Sequence, residues 1–92
     1  MFKILVIVTS NCEACNIAKS HVLSAAEPYK NVSVNIKNRK EVDSVFLREN
    51  RIKDFPTVLY IIDDKVVSKS CGTYPTVVYT HWIKMYFESA II

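Results

Sequence analysis

The 92-residue chain has one glycine, Gly72, and three prolines, Pro28, Pro56 and Pro75. So little of either excludes a flexible linker, a collagen-like repeat and a disordered low-complexity segment. Its three cysteines are too few for a disulfide-stapled scaffold and odd in number, so their spacing says more than their count. No apolar run approaches the ~20 residues of a membrane-spanning helix. The opening Met1-Phe2-Lys3 and the run Ile4 to Val8 fall short of a signal-peptide core, and no small-residue cleavage site follows, so the chain reads as cytoplasmic with no membrane partner. A strong charge of either sign is also missing. Lys and Arg number 12 against 9 Asp and Glu, a net charge of +3 spread along the chain. The tightest basic group, Lys37 to Lys40, runs straight into Glu41 and Asp43, which points to a solvated helix start and away from a nucleic-acid surface.

What is present is apolar patterning. Half of the residues are hydrophobic, and a chain this size buries roughly 60 to 65% of its unfolded surface, enough for one core. The expectation is a single α/β domain over residues 1–92, acting as a monomer.

Ile4 to Val8 is continuously apolar and β-branched, as suits a central strand covered on both faces. Thr9, Ser10 and Asn11 break the run. Ala14, Ile17, Ala18, Val22 and Ala25 then recur at helical spacing, and Pro28 ends or kinks that helix. Val32, Val34 and Ile36 alternate with polar residues, the signature of a half-buried strand. Asn38 with Glu41 forms a candidate capping box for a second helix, whose inner face is Val42, Val45 and Phe46 and which ends near Asn50. Val58 to Ile62 is again an apolar strand, separated from Val66 to Ser70 by Asp63-Asp64, which predicts an antiparallel hairpin. Gly72, Thr73 and Pro75 mark a turn, and Val78, Trp82, Met85 and Phe87 supply the apolar positions of a last helix reaching about Ser89. The order is β-α-β-α-β-β-α.

The chemistry sits in Cys12-Glu13-Ala14-Cys15. Only a thiolate attacks a disulfide, and a free cysteine with a pKa near ~8.5 is mostly protonated at neutral pH. A cysteine in the first turn of a helix faces unpaired backbone N–H groups and the positive end of the helix dipole, which favour the anion. That position makes Cys12 the candidate nucleophile. Cys15, three residues on, is the candidate resolving thiol. Glu13 places negative charge beside the nucleophile, which disfavours a strongly oxidising couple; Lys19, one turn beyond Cys15, offsets part of it. Two other readings stay open. The cysteines are incidental to a binding module, or they form half of a metal site completed by Cys71 with His81 or His21, although those spacings match no zinc motif. No metal or other cofactor is expected.

Two segments resemble the thioredoxin and glutaredoxin superfamily over nearly the whole chain: Thr9-Ser10-Asn11-Cys12-Glu13-Ala14-Cys15 after an apolar strand, and Arg51-Ile52-Lys53-Asp54-Phe55-Pro56-Thr57-Val58-Leu59, in which a Pro-Thr pair opens a core strand. The resemblance implies the thioredoxin fold, a four-stranded mixed sheet flanked by helices. It also implies a cis Phe55-Pro56 bond facing the disulfide, against an unconditioned frequency of only about 5–6%, and a groove bordered by Gly72. Asn11, Glu13, Ala14, Phe55, Pro56, Thr57 and Gly72 would then contact a substrate strand passing over Cys12. The implied activity is reduction of protein disulfides, with a reductase or glutathione as electron donor.

This chain departs from the family in several places. Asn11 stands where thioredoxins carry Trp, Glu13-Ala14 where they carry Gly-Pro, and Val6 near their buried Asp. Cys71-Gly72-Thr73-Tyr74 replaces the glutathione-holding turn of glutaredoxins. Cys71 itself reads as a small buried hydrophobe, His21 and His81 as surface or rim residues, and Tyr74, Tyr79, Trp82, Tyr86 and Phe87 as packing groups.

Overall fold

The computed structural model describes residues 1–88. Strand β1 (Phe2–Val8) leads through Thr9-Asn11 into helix α1 (Glu13–Ala26), then strand β2 (Val32–Asn38), a short 3-10 turn (Arg39–Glu41) and helix α2 (Ser44–Glu49). Strands β3 (Thr57–Ile62) and β4 (Lys65–Cys71) follow, and helix α3 (Thr76–Ile83) runs into a π-type turn (Lys84–Glu88). Ser89, where the last helix was expected to end, lies outside the described residues.

The four strands form one mixed sheet in the order β2-β1-β3-β4. β1 and β2 are parallel, Ile4 opposite Val34, because α1 serves as the crossover that a parallel pair needs. β1 and β3 are antiparallel, Ile4 opposite Tyr60, and β3 and β4 close as a hairpin. Asp63 and Asp64 both have positive φ, 49° and 67°, the backbone that a tight two-residue hairpin turn requires. Val67 is the extra residue of a bulge, since Ile61 pairs with Val66 but Tyr60 pairs with Ser68.

The unbroken apolar runs follow from this order. β1 and β3 lie in the middle, so both of their faces are covered. Ile4, Val6, Val58 and Tyr60 face α1 and α3, packing with Val22, Ala25, Tyr79, Ile83 and Phe87. Ile7, Leu59 and Ile61 face the other way, towards Val42, Phe46, Leu47 and Ile52. Tyr60 anchors an aromatic cluster with Trp82, Tyr86 and Phe87 at centroid distances of 6.3, 5.2 and 6.1 Å. Burial pushes the Tyr60 hydroxyl pKa well above the usual tyrosine value. Ser70 is near enough to oppose that shift, yet neither the Tyr60 hydroxyl nor Ser70 Oγ completes a hydrogen bond.

Several expectations need correction. The Asn38–Glu41 capping box does form, but around the 3-10 turn; α2 starts later, under an Asp43 cap that accepts from the Val45 N–H at 2.9 Å. Of the apolar residues expected to face inward, Ala14, Ile17, Ile36, Val45 and Met85 are exposed. The inner stripe of α1 is Cys15, Ala18, Val22, Ala25 and Ala26. Cys71, read as buried, is exposed, because it ends edge strand β4, whose alternate residues point to solvent.

Candidate active site

The loop from β1 to α1 decides where the first sulfur sits. Asn11 adopts a left-handed backbone with φ 54°, which Asn tolerates better than most residues and which a Trp or β-branched residue would resist. The chain then enters α1 with Cys12 as its N-cap, in extended conformation. Cys12 Sγ accepts from the Cys15 N–H at 3.1 Å, occupying the place that a Ser or Asp oxygen takes in an ordinary cap. The sulfur thus lies against the donor end of a 14-residue helix, where negative charge is stabilised.

Cys12 and Cys15 are joined as a disulfide, with their Cα atoms 5.2 Å apart, inside the normal range for such a bridge. Their surroundings differ. Cys12 is half-buried, whereas Cys15 is 1% exposed, in the inner stripe of α1. An incoming reagent therefore reaches Cys12 first. Glu13 and Ala14 between them are exposed, as is Asn11.

Phe55-Pro56 is a cis peptide, as the resemblance implied. Pro56 is buried, Phe55 is half-buried against Ile7, Leu59 and their neighbours, and Thr57 is fully buried. The Thr57 hydroxyl donates to the Asp54 carbonyl at 2.6 Å and lies 3.6 Å from Cys71 Sγ, its register partner's sulfur. Whatever Thr57 offers a ligand comes from its backbone.

Gly72 has φ 93°, and a Cβ there would meet nothing within 4 Å. Its backbone and its open flank, not crowding, explain the glycine. The Gly72 N–H donates to the Pro56 carbonyl at 2.8 Å. Next along the chain, the Thr73 hydroxyl donates to the Ala14 carbonyl, also at 2.8 Å. Two hydrogen bonds thus join the cis-proline segment, the Gly72 turn and the first turn of α1, so Ala14, Pro56 and Gly72 belong to one rim. Asn11, Glu13 and Phe55 sit beside it without entering this network.

Three residues that the sequence reading placed in a strand break, a turn and the packing, and not in the site, support it. Thr9 Oγ1 lies 3.9 Å from Cys15 Sγ, within reach of a hydrogen bond to sulfur. Thr73 ties the turn to α1. The buried Tyr79 hydroxyl donates to the Gly72 carbonyl and accepts from the Tyr74 N–H, both at 3.3 Å; burial raises the Tyr79 pKa, and the bond from the Tyr74 backbone opposes that shift. His21, expected at the surface or rim, is half-buried with Nδ1 2.8 Å from the Tyr74 carbonyl, and His81 is exposed. Among the described residues, no three His, Cys, Asp or Glu side chains converge as a metal site would need, and no helix is long and apolar enough to cross a membrane.

No protein-family model matches the chain, and no curated protein matches its sequence. Its architecture, by contrast, is shared with solved thioredoxins. Thioredoxin-2, described as a component of malaria parasite protein secretion machinery, superposes with a TM-score of 0.80 at 15% identity, over 94% of this chain and 84% of its own. A mutant thioredoxin from Halobacterium salinarum gives 0.78 at 16% identity, over 92% and 74%. Thioredoxin f2 of Chlamydomonas reinhardtii gives 0.77 at 14% identity, over 94% and 79%. With its mixed four-stranded sheet, flanking helices and these neighbours, the chain has the thioredoxin fold in a small form.

Proposed function

We infer that the chain is a thiol-disulfide oxidoreductase that reduces protein disulfides through the Cys12/Cys15 couple. One observation carries this reading: the two cysteines close a disulfide at the N-terminus of α1, with Cys12 half-buried and Cys15 enclosed. In the reduced protein the donor end of α1 favours the Cys12 thiolate. That thiolate attacks one sulfur of a partner's disulfide, and the partner's other sulfur leaves with the bonding pair and takes up a proton. Cys15 then attacks Cys12 Sγ, breaking the mixed disulfide and releasing the partner's second thiol. Two electrons pass from the protein to its partner in each cycle. The rim of Ala14, Pro56 and Gly72, with Asn11, Glu13, Phe55 and the Thr57 backbone around it, receives the partner's extended segment. A reductase or glutathione restores the dithiol, and the cycle runs in the cytoplasm.

The test is reduction of insulin disulfides with dithiothreitol or a reductase as donor. Cys12→Ser abolishes turnover, Cys15→Ser accumulates the mixed disulfide, and Cys71→Ser retains activity. Ordinary turnover by Cys12→Ser would overturn the reading.

A further inference from the structure

The buried sulfur raises a question that the cycle leaves unanswered. Cys15 must lose a proton before it attacks, and at 1% exposure it has almost no water of its own. Burial in apolar surroundings disfavours a thiolate. A nearby carboxylate would be one remedy, but α1, α3 and the four strands carry a single carboxylate, Glu13, and it is exposed. Val6, fully buried on β1, offers only methyl groups.

The other titratable groups on the elements around Cys15 are placed elsewhere or engaged. Lys3 lies near the far end of β1, opposite Ile61, and Lys37 is exposed on edge strand β2. On β3, Tyr60 belongs to the aromatic cluster; on β4, Lys65 and Lys69 are exposed and Cys71 lies against Thr57. On α3, Tyr79 is committed to the Gly72 turn and His81 is exposed. Within α1, His21 is bound to the Tyr74 carbonyl and Lys19 is half-buried one turn beyond Cys15. Asp54, in the loop before Pro56, is exposed. The polar side-chain atom in contact with Cys15 Sγ is Thr9 Oγ1, at 3.9 Å.

Resting on the reading of Cys15 as the resolving thiol, we propose that Thr9 serves that sulfur in both protonation states. Its hydroxyl accepts the Cys15 S–H bond in the thiol form and donates to the sulfur in the thiolate form. A hydroxyl suits this task because it is both donor and acceptor and turns about its own C–O bond. Thr9 is itself only half-buried, so the residue in contact with the enclosed sulfur is partly open to solvent. In the resolving step, the Cys15 proton passes to water at the Thr9 hydroxyl, and Cys15 Sγ bonds to Cys12 Sγ. The bond from Cys12 to the partner's sulfur breaks, and the partner leaves as a thiolate that takes a proton from water. Thr9 exchanges no electrons and keeps its own proton count. It is a thiolate-stabilising residue, not a base.

The experiment isolates Cys15 by placing Cys12→Ser and Cys71→Ser together, so that a single thiol remains. Its ionisation is followed by thiolate absorbance and by alkylation rate against pH in this parent and with Thr9→Val, Thr9→Ala or Thr9→Ser added. Val keeps the shape of Thr without the hydroxyl, Ala removes bulk as well, and Ser restores the oxygen. The expected result is about tenfold less thiolate at a given pH in Thr9→Val and Thr9→Ala, one unit in midpoint, with Thr9→Ser within about twofold of the parent. Should Thr9→Val fail to fold, the Ala and Ser variants decide. Identical titrations in the folded variants would overturn the proposal. The measurement needs no substrate, so it stands even if the full protein reduces no disulfide, and unchanged titrations would leave the oxidoreductase reading intact.

Discussion

The Gly72 N–H meets the Pro56 carbonyl at 2.8 Å, so the chain's single glycine closes directly onto its cis-proline segment. Through Thr73 the same turn holds the Ala14 carbonyl between the two cysteines. Three segments far apart in sequence therefore share one hydrogen-bonded rim.

Gly72→Ala tests the backbone at this turn alone. With φ at 93° and open space where the Cβ would go, the cost is conformational, about 1–2 kcal/mol. It reads out as a lower urea midpoint with an unchanged m-value. An unaltered midpoint would mean that Gly72 does not hold a positive φ in solution.

Tyr79→Phe removes a hydroxyl that serves both the Gly72 carbonyl and the Tyr74 N–H. Two groups lose a partner for one oxygen, with a cost of about 1–3 kcal/mol. Hydrogen exchange at the Tyr74 amide should accelerate while the central strands keep their protection. Uniform acceleration across the sheet would instead indicate global destabilisation.

Alkaline pH should weaken the fold through Tyr60 and Tyr79. Burial raises both hydroxyl pKa values, so the folded state holds these protons after the unfolded chain has released them. Their stabilising effect is complete below about pH 10, the ordinary tyrosine value, and is lost as pH rises from there towards the folded-state values. Tyr60→Phe should flatten that alkaline limb. At neutral pH it changes stability by less than about 1 kcal/mol, since the Tyr60 hydroxyl completes no hydrogen bond. Urea titrations at neutral and alkaline pH check both parts, and an equally steep limb in the variant would contradict the assignment.

Lys69→Met should loosen α2 selectively. Lys69 Nζ donates to the carbonyls of Asn50 and Arg51, at 2.8 and 3.0 Å, at the C-terminal end of a six-residue helix. So short a helix depends on its ends, and losing a cation there costs about 1 kcal/mol. Amide exchange in residues 44–51 should quicken ahead of exchange in β3. No difference between the two regions would exclude a capping role for Lys69.

Much of the architecture was readable because its signals are local. Ile4 to Val8 and Val58 to Ile62 are apolar at every position, and only strands with both faces covered tolerate that. Asp63-Asp64 had to be a tight turn because two strands flank a two-residue gap. Spacing was less informative about direction. It groups Ala14, Ile17 and Ala18 on one side of α1 but does not say which edge of that side meets the sheet, and the contact runs through Cys15, Ala18 and Val22. The second helix shows a competition between equivalent caps: Asn38 with Glu41 and, five residues on, Asp43 both present good N-terminal signals, and the chain uses one for a 3-10 turn and the other for α2.

Element order, the pairing of the hairpin and the candidate couple could be read from the order of residues, because each rests on neighbours within a few positions: a strand, a break, and two cysteines at the start of a helix. That Thr9 stands beside the enclosed Cys15, and that Thr73 and Gly72 bind Ala14 and Pro56 into one rim, emerges only in the folded chain. Those relationships depend on how α1 settles on the sheet and on where β4 ends. Packing of distant segments sets both, and no local pattern encodes them.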